Sequence, residues 1–493
     1  MPDITSERTK RTTRPPRRRL GLTLALLAFA QLIISIDYNI VYVALPEIGS
    51  GLGFSPQSLQ WVISAYAVAF GGFLLLGGRA SDLFGPRRMF ALGLALYAGS
   101  SLLGGMATDP GTLIAARAAQ GIGGAFLFPA TLTLVSTSFT EGKERNRAFA
   151  VWGTAGGSGM ILGSLLGGVL TDAFGWEAVF YVNVPLAGAA ALLSFQLIAP
   201  DAPRTGDRPS FDLTGALTST VGITGLVFTL VQGPESGWTS PLVLGAALSG
   251  VLLLTAFVAV EVRSTQPLLP LGLFRNRNLA TGSVITFLYM GTFGTLLYFL
   301  TVYFQSVQGY GPMTTGLAFL VPMVAIAAGA QTAGRLATRY GIRPVMIAAL
   351  AVGGAGTVLV ALTMSTGASY GTLVPGLIVL GIGQGAGYTL MFGAAALGVP
   401  ADEQGIASGV ASTSQQIGGA VGLALLVAVA NSGLDGLTGE ALRSATTDGL
   451  RRAVLIAVGG IALTALAALG LRRPASREVG QDTAVASHPT VHV

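Results

Sequence analysis

Long apolar segments alternate with short polar loops along almost the whole chain. A helix that crosses a bilayer needs about 20 mostly apolar residues, and fourteen segments reach about that length, near residues 20–45, 58–78, 88–107, 111–138, 147–171, 177–199, 213–232, 241–262, 278–307, 313–337, 344–366, 371–398, 404–431 and 450–471. Continuous apolar segments exclude the strands of a membrane β-barrel, because those strands alternate apolar and polar residues. The pattern therefore predicts an all-α integral membrane protein with fourteen transmembrane helices.

Lysine and arginine are distributed unequally between alternate loops. All but four of the 28 Lys and Arg residues lie in the first 19 residues, in every second loop or in the tail. The exceptions are Arg117, inside a predicted helix, and Arg443, Arg451 and Arg452 in the last outer loop. Since basic residues accumulate in short cytoplasmic loops, we expect a multi-pass protein of the cell membrane with both termini in the cytoplasm. The asymmetry also explains the net charge of +6 without a nucleic-acid partner.

Two stretches of the sequence recur about 260 residues later. "GRASDLFGPR" (78–87) aligns with "GRLATRYGIR" (334–343), and "GTLIAARAAQGIGG" (111–124) aligns with "GTLVPGLIVLGIGQ" (371–384). The repeat predicts two pseudo-symmetric six-helix bundles. Repeated halves of this kind are typical of secondary transporters, whose substrate site lies between the halves near the middle of the bilayer.

The repeat also divides the chain. We predict a basic cytoplasmic arm, an N-terminal bundle, two extra central helices with flanking cytoplasmic loops, a C-terminal bundle and a disordered cytoplasmic tail, over residues 1–19, 20–199, 200–277, 278–471 and 472–493.

The composition excludes several kinds of site. Cysteine is absent, and the two histidines, His488 and His492, lie in the polar tail. A thiolate or histidine metal site inside the membrane is therefore excluded. The sequence has no phosphate-binding Gly-Lys-Ser/Thr motif and no motif that pairs a nucleophile with a base. We expect no enzyme activity, metal or cofactor, and ATP is not the expected energy source.

Two charged residues lie deep in predicted helices. Asp37 lies within "QLIISIDYNIVYVALP" (31–46), and Arg117 lies at a similar depth in the fourth helix. A carboxylate near the bilayer centre costs about 2.5–3.5 kcal/mol on insertion scales, so such residues usually face a cavity and have a function. A nearby cation favours the ionised carboxyl group and burial favours the neutral one. We therefore predict that Asp37 pairs with Arg117 and carries the coupling proton.

Each of these residues also has a structural interpretation. Asp37 would then be a static carboxylate held for packing, and Arg117 a support that binds backbone carbonyl groups. Gln120, one helical turn after Arg117, shares its face of the helix.

Several motifs together resemble the 14-helix drug:proton antiporter branch of the major facilitator superfamily. "GRASDLFGPRR" resembles the motif of the loop between the second and third helices, with Gly78, Asp82, Gly85, Arg87 and Arg88. "LIAARAAQGIGGA" resembles the fourth-helix motif with Arg117, Gln120 and Gly121, and "IDYNIVYVALP" the first-helix motif with its acid. "WEAVFYVNVP", "PLLPLGLFRNRN" and "GIASGV" resemble further signatures of the branch.

The resemblance implies a proton-coupled exporter of an amphipathic antibiotic or metabolite that works by alternating access. Its expected partners are the small-molecule substrate, protons and the lipid bilayer, and we expect a monomer. Two alternatives stay open: a proton-coupled importer or facilitator of a small organic solute, and a membrane sensor that transports nothing.

The remaining candidate residues have gating or binding roles. Asp82 is expected to cap the thirteenth helix near residues 402–406, with Arg87 or Arg88 paired to Glu141 or Glu144; the alternative is an anchor at the inner membrane surface. Glycines spaced by four in the fifth helix, including Gly163 and Gly167, predict close helix packing. A flexible gate between the two halves is a second interpretation that is compatible with the first. Possible cavity residues, which would otherwise face lipid or packed helices, are Tyr38, Trp61, Tyr66, Tyr289, Phe293, Gln384 and Tyr388.

Overall fold

The computed structural model describes residues 17–140, 143–201, 213–264, 267, 271–397, 404–434 and 436–472. These residues form helices and connecting loops, with no strand among them. The α-helices are α1 (Arg17–Leu52), α2 (Trp61–Phe84), α3 (Pro86–Gly105), α4 (Pro110–Ser138), α5 (Lys143–Phe174), α6 (Ala178–Tyr181), α7 (Asn183–Leu197), α8 (Leu213–Ser236), α9 (Pro241–Arg263), α10 (Arg277–Thr292), α11 (Leu296–Val302), α12 (Pro312–Ala318), α13 (Leu320–Tyr340), α14 (Ile342–Thr363), α15 (Tyr370–Ala396), α16 (Gln404–Ala430) and α17 (Gly439–Ala468).

Three of the predicted membrane helices are broken into shorter pieces. The sixth consists of α6 and α7, and the tenth consists of α12 and α13. The ninth contains α10, a short 3₁₀ turn at Phe293–Thr295, α11 and a π-helical turn at Tyr303–Val307. The break at Phe293 falls on a predicted cavity residue.

Twelve helical segments in the described ranges are long and apolar enough to cross a membrane. The other two predicted spans correspond to α2 and α3, which have 24 and 20 residues. A helix of about 20 residues is about 30 Å long, roughly the thickness of the hydrocarbon layer. The number fourteen therefore stays a prediction, while the all-α membrane architecture is confirmed.

Equivalent helices of the two halves make equivalent contacts. A Cβ atom on Gly121 of α4 would lie 2.4 Å from the carbonyl oxygen of Tyr66 on α2. In the second half, a Cβ atom on Gly381 of α15 would lie 2.7 Å from the carbonyl oxygen of Pro322 on α13. Both glycines and both partners are related by the offsets of the sequence repeat. The repeated glycines thus allow the same close helix crossing in each half.

The two extra helices pack beside the seam between the halves. α8 contacts α2 of the first half and α16 of the second, and α9 packs on α8. A cluster of apolar side chains joins α2, α8 and α16; it includes Val68 of α2, Val231 of α8 and Ala424 of α16.

The halves also meet at the ends predicted to face outward. Nε2 of Gln305 donates to the carbonyl oxygen of Val43 on α1 at 2.7 Å. A Cβ atom on Gly168 of α5 would lie 2.8 Å from the carbonyl oxygen of Pro312 at the start of α12. The two halves are therefore in contact at the predicted outer ends of α1 and α5.

Candidate functional site

Asp37 and Arg117 form a buried ion pair inside the first half. Nη1 of Arg117 lies 2.9 Å from Oδ2 of Asp37, and their side chains are 2% and 0% exposed for Arg117 and Asp37 respectively. α1 carries the acid and α4 carries the cation. Breaking such a pair by removing one partner leaves an uncompensated buried charge, which is strongly unfavourable. The two charges that were predicted to pair are thus in direct contact.

The carboxylate of Asp37 accepts hydrogen bonds from four side chains. Oδ2 accepts from Nη1 of Arg117 at 2.9 Å and from the hydroxyl of Tyr97 at 2.9 Å. Oδ1 accepts from Nε2 of Gln120 at 2.8 Å and from Nδ2 of Asn183 at 2.7 Å. Since an ionised carboxylate only accepts hydrogen bonds and offers about four lone-pair sites, this arrangement fits the ionised form.

Arg117 is held by more than its counter-ion. Its Nε donates to the carbonyl oxygen of Val62 on α2 at 2.9 Å, and its Nη1 also donates to Oε1 of Gln120 at 2.6 Å. The guanidinium carbon lies 4.6 Å from the centre of the Tyr66 ring, a cation–π distance. Arg117 therefore makes the contacts that both interpretations predict, because it binds the carboxylate of Asp37 and also a backbone carbonyl.

Small residues bring the helices of this site together. A Cβ atom on Gly163 of α5 would lie 2.6 Å from the carbonyl oxygen of Ile36, and one on Gly167 would lie 2.7 Å from that of Ile40. These contacts lie on either side of Asp37 along α1. The glycines of α5 thus allow α1 to approach closely at the level of the acid.

The loop between α2 and α3 is bound by an acid that the sequence did not indicate. The carboxylate of Asp201 accepts from the backbone N–H groups of Arg87 and Arg88 at 3.0 and 3.2 Å. Gly85 has a φ of +97°, and a Cβ atom there would clash with the Asp201 carboxyl group. Only glycine fits this position without strain.

The side chains of Arg87 and Glu144, which were predicted to take part in ion pairs, make other contacts among the described residues. The guanidinium of Arg87 donates to the carbonyl oxygen of Phe195 and lies 5.4 Å from the centre of its ring. The carboxylate of Glu144 accepts from Thr140. Around Gly78 the packing is ordinary, since a Cβ atom there would lie 3.9 Å from Cβ of Pro129. The Asp82 side chain, Glu141 and residues 402–403 lie outside the described part of the chain.

The predicted cavity residues fall into three places. Tyr38 and Tyr66 lie in the first half, with ring centres 6.3 Å apart. A second group lies in the other half and contains Tyr289, Phe293, Gln384 and Tyr388. Trp61 lies apart from both groups and packs against Phe228 of α8, with ring centres 6.0 Å apart.

The second group surrounds the break between α10 and α11. Nε2 of Gln384 donates to the carbonyl oxygen of Phe293 at 3.0 Å, and the Tyr289 hydroxyl donates to the backbone carbonyl of Gln384. A side chain thus satisfies a carbonyl at the break, as interrupted helices in a membrane require. Tyr289 and Phe293 are buried, whereas Tyr38, Gln384 and Tyr388 are half-buried. The half-buried residues are therefore the better candidates for contact with a substrate.

Sequence reasoning missed Tyr97 and Asn183 as partners of Asp37. Asn183 lies in the quoted stretch "WEAVFYVNVP", where it is an amide within an apolar segment. That signal is present but weak, because neutral polar residues occur in many membrane helices. Tyr97 gave no signal that distinguishes it from the other tyrosines.

Within the described ranges, no cluster of three or more metal-ligating side chains occurs.

A family model described as the Major Facilitator Superfamily matches residues 27–423. The puromycin resistance protein pur8 of Streptomyces alboniger is 41% identical over 488 residues, which cover 96% of each chain. The cephamycin export protein CmcT of Amycolatopsis lactamdurans is 36% identical, over 88% of this chain and 90% of that protein.

Solved transporter structures share the fold. A bacterial homologue of the human lysosomal transporter Spinster, solved in an inward-facing and unoccupied conformation, has a TM-score of 0.65 at 14% identity, over 93% of this chain and 98% of that one. The similarity extends over nearly the whole of both chains, so the fold is common to them.

Proposed function

The chain belongs to the Major Facilitator Superfamily, and from this premise we propose that it is a proton-coupled exporter of an amphipathic antibiotic or a related metabolite. Members of this superfamily are membrane transporters of small molecules, so the chain is a transporter and not an enzyme. Its similarity to proteins named for puromycin resistance and cephamycin export supports export as the direction of transport.

The observation that carries the proposed proton coupling is the buried pair of Asp37 and Arg117. Proton exchange requires a group that can be charged in one state of the transporter and neutral in another. Asp37 is fully buried and held by a cation and three neutral donors. Small changes in this environment alter the balance between the two forms, because burial and the cation act in opposite directions.

Alternating access would link the protonation of Asp37 to the direction of transport. In the present arrangement the halves meet on the predicted outer side, as the contact between Gln305 and Val43 illustrates. Opening that side requires α1 to move relative to the second half. Since α1 carries Asp37, such a movement changes the surroundings of the acid together with access to the space between the halves. The proton gradient would thus be linked to substrate export.

The location and the oligomeric state of the protein are also proposed. We place the protein in the bacterial cell membrane as a monomer, with both termini in the cytoplasm, as the distribution of basic residues indicates. Half-buried Tyr38, Gln384 and Tyr388 are proposed to contact the substrate, and no cofactor is required.

The test is substrate-induced proton release from purified protein in liposomes, with puromycin as the first compound. Asp37→Asn should abolish the release, because an amide cannot bind and lose the coupling proton. Asp109→Asn is the matched control, since Asp109 is an exposed acid at the start of α4 whose capping role asparagine can fulfil. We expect the control to release protons as the unmodified protein does.

The direction of transport needs a second measurement. In inside-out vesicles, labelled substrate should accumulate when a proton gradient is imposed and should leave when the gradient is dissipated. Undiminished proton release by Asp37→Asn would place coupling at another residue. Loss of substrate from the vesicles on imposing the gradient would instead identify an importer.

A further inference from the structure

Asn183 differs from the other partners of Asp37 in having an unused polar atom. Its side chain is 0% exposed, and its Nδ2 donates to Oδ1 of Asp37 at 2.7 Å. Its own Oδ1 has no hydrogen-bond partner within the described residues. Buried polar atoms are nearly always hydrogen-bonded, so an exception calls for an explanation.

A proton that reaches Asp37 finds the two carboxylate oxygens in different surroundings. Oδ2 faces the positive charge of Arg117 and the Tyr97 hydroxyl. Oδ1 faces two neutral amides, those of Gln120 and Asn183. Because a cation repels a proton, the proton is held at Oδ1. The new O–H group is then a donor, and it points at side chains that are themselves donating.

Only one of the two amides can turn without breaking other strong bonds. Gln120 uses its Oε1 for Arg117 at 2.6 Å, and its Nε2 also donates to the Ser101 hydroxyl at 2.9 Å. Asn183 has one further contact, from Nδ2 to the carbonyl oxygen of Val179 at 3.4 Å, which is long for a hydrogen bond. The geometry therefore favours movement of Asn183.

We propose that Asn183 is a positioning residue that reverses its amide when Asp37 takes up a proton; this inference rests on the proposed coupling role of Asp37. With the ionised carboxylate, Nδ2 of Asn183 donates. When a proton bonds to Oδ1 of Asp37, a half-turn of the amide brings the unused Oδ1 of Asn183 into place as the acceptor. No bond within the amide breaks, and Asp37 alone gains the proton.

The half-turn leaves the rest of the site in place. The amide oxygen and the amide nitrogen are similar in size, so the turned group occupies the same volume. The titratable and charged groups around Asp37 are Arg117 on α4, Tyr66 on α2, Tyr97 on α3 and the adjacent Tyr38 on α1. None of them has to move for the acid to become neutral, so a proton can be exchanged within a closely packed site.

The experiment is infrared difference spectroscopy of the purified full-length protein, labelled with ¹³C in the asparagine side chains and titrated with acid. Neither substrate nor a proton gradient is present. A carboxylic-acid band that Asp37→Asn lacks will report protonation of Asp37. At the same midpoint, an asparagine C=O band should move to lower frequency, because the carbonyl changes from unbonded to accepting.

Two variants assign the asparagine band. Asn183→Ala should remove it, and Asn39→Ala should retain it. Asn39 is a matched control because it is also buried, and its Nδ2 donates to the Ser35 carbonyl at 3.0 Å, away from Asp37.

Each outcome decides the inference. An acid band that appears with no shift of any asparagine band would make Asn183 a fixed donor and overturn the proposal. The labelled unmodified protein alone gives this result, so the test holds even if Asn183→Ala does not fold. The unmodified protein could show both the carboxylic-acid band and the shifted asparagine band but release no protons in liposomes. That result would support the amide reversal and contradict the proposed proton-coupled export.

Discussion

Replacing Gly163 with alanine tests whether α5 sets the position of the helix that carries Asp37. The new Cβ atom would lie 2.6 Å from the carbonyl oxygen of Ile36 and 3.0 Å from Cβ of Asn39. Ordinary contacts at such a position are 3.4–4 Å. A backbone carbonyl cannot swing aside as a flexible side chain can, so α5 and α1 must separate by roughly 1 Å next to Asp37.

Two opposing effects set the magnitude. Overpacking of this kind costs typically about 1–3 kcal/mol. Alanine in a helix interior is favoured over glycine by roughly 0.5–1 kcal/mol. The balance for Gly163→Ala is therefore a loss of up to about 2.5 kcal/mol in the free energy of unfolding. Gly157→Ala is the matched control on the same helix, because nothing lies within 4 Å of its Cβ position. It should be neutral or stabilised by up to about 1 kcal/mol.

The assay is thermal unfolding in detergent, followed by fluorescence of the 4 tryptophans. We expect the melting temperature of Gly163→Ala to fall below that of the unmodified protein and that of Gly157→Ala to equal or exceed it. Substrate-induced proton release should fall only in Gly163→Ala. Equal melting temperatures for the two variants, or the reverse order, would refute the conclusion that this glycine positions α1.

Two further predictions concern acids that cap helices. Asp201→Ala should lower the free energy of unfolding by about 1 kcal/mol, because the first turn of α3 loses two hydrogen bonds, and thermal melting will measure it. Asp109 accepts from the hydroxyl and the backbone N–H of Thr112, which lowers the pKa of its carboxyl group. The stabilisation is therefore present above the ordinary pKa of aspartate and lost as pH falls through the lower folded value. Asp109→Ala should accordingly have a lower melting temperature than the unmodified protein at neutral pH. The difference in melting temperature should shrink as the pH falls below the ordinary pKa of aspartate. A difference that does not depend on pH would contradict this reasoning.

Much of the architecture could be predicted because a bilayer restricts the possible structures. Backbone polar groups in lipid must be satisfied within the segment, so each long apolar run becomes a helix. The sequence repeat predicted two pseudo-symmetric bundles, and Gly121 and Gly381 make equivalent helix contacts in the two halves. The breaks at Val182, Phe293 and Phe319 were not predicted, because each lies inside a long and mainly apolar segment.

The pairing of Asp37 with Arg117 could be inferred from the chain alone, because two opposite charges at a similar depth in lipid are each too costly to leave unpaired. The neutral groups that complete the site are set by the way the helices pack. Tyr97 and Asn183 lie 60 and 146 residues from Asp37 along the chain, and Asp201 lies 114 residues from Arg87 at the helix start that it caps. An uncharged polar side chain costs little free energy at many positions of a membrane helix. The sequence therefore does not indicate which groups such a side chain will contact. Their roles follow from how each helix is rotated about its axis, and packing against other helices sets that rotation.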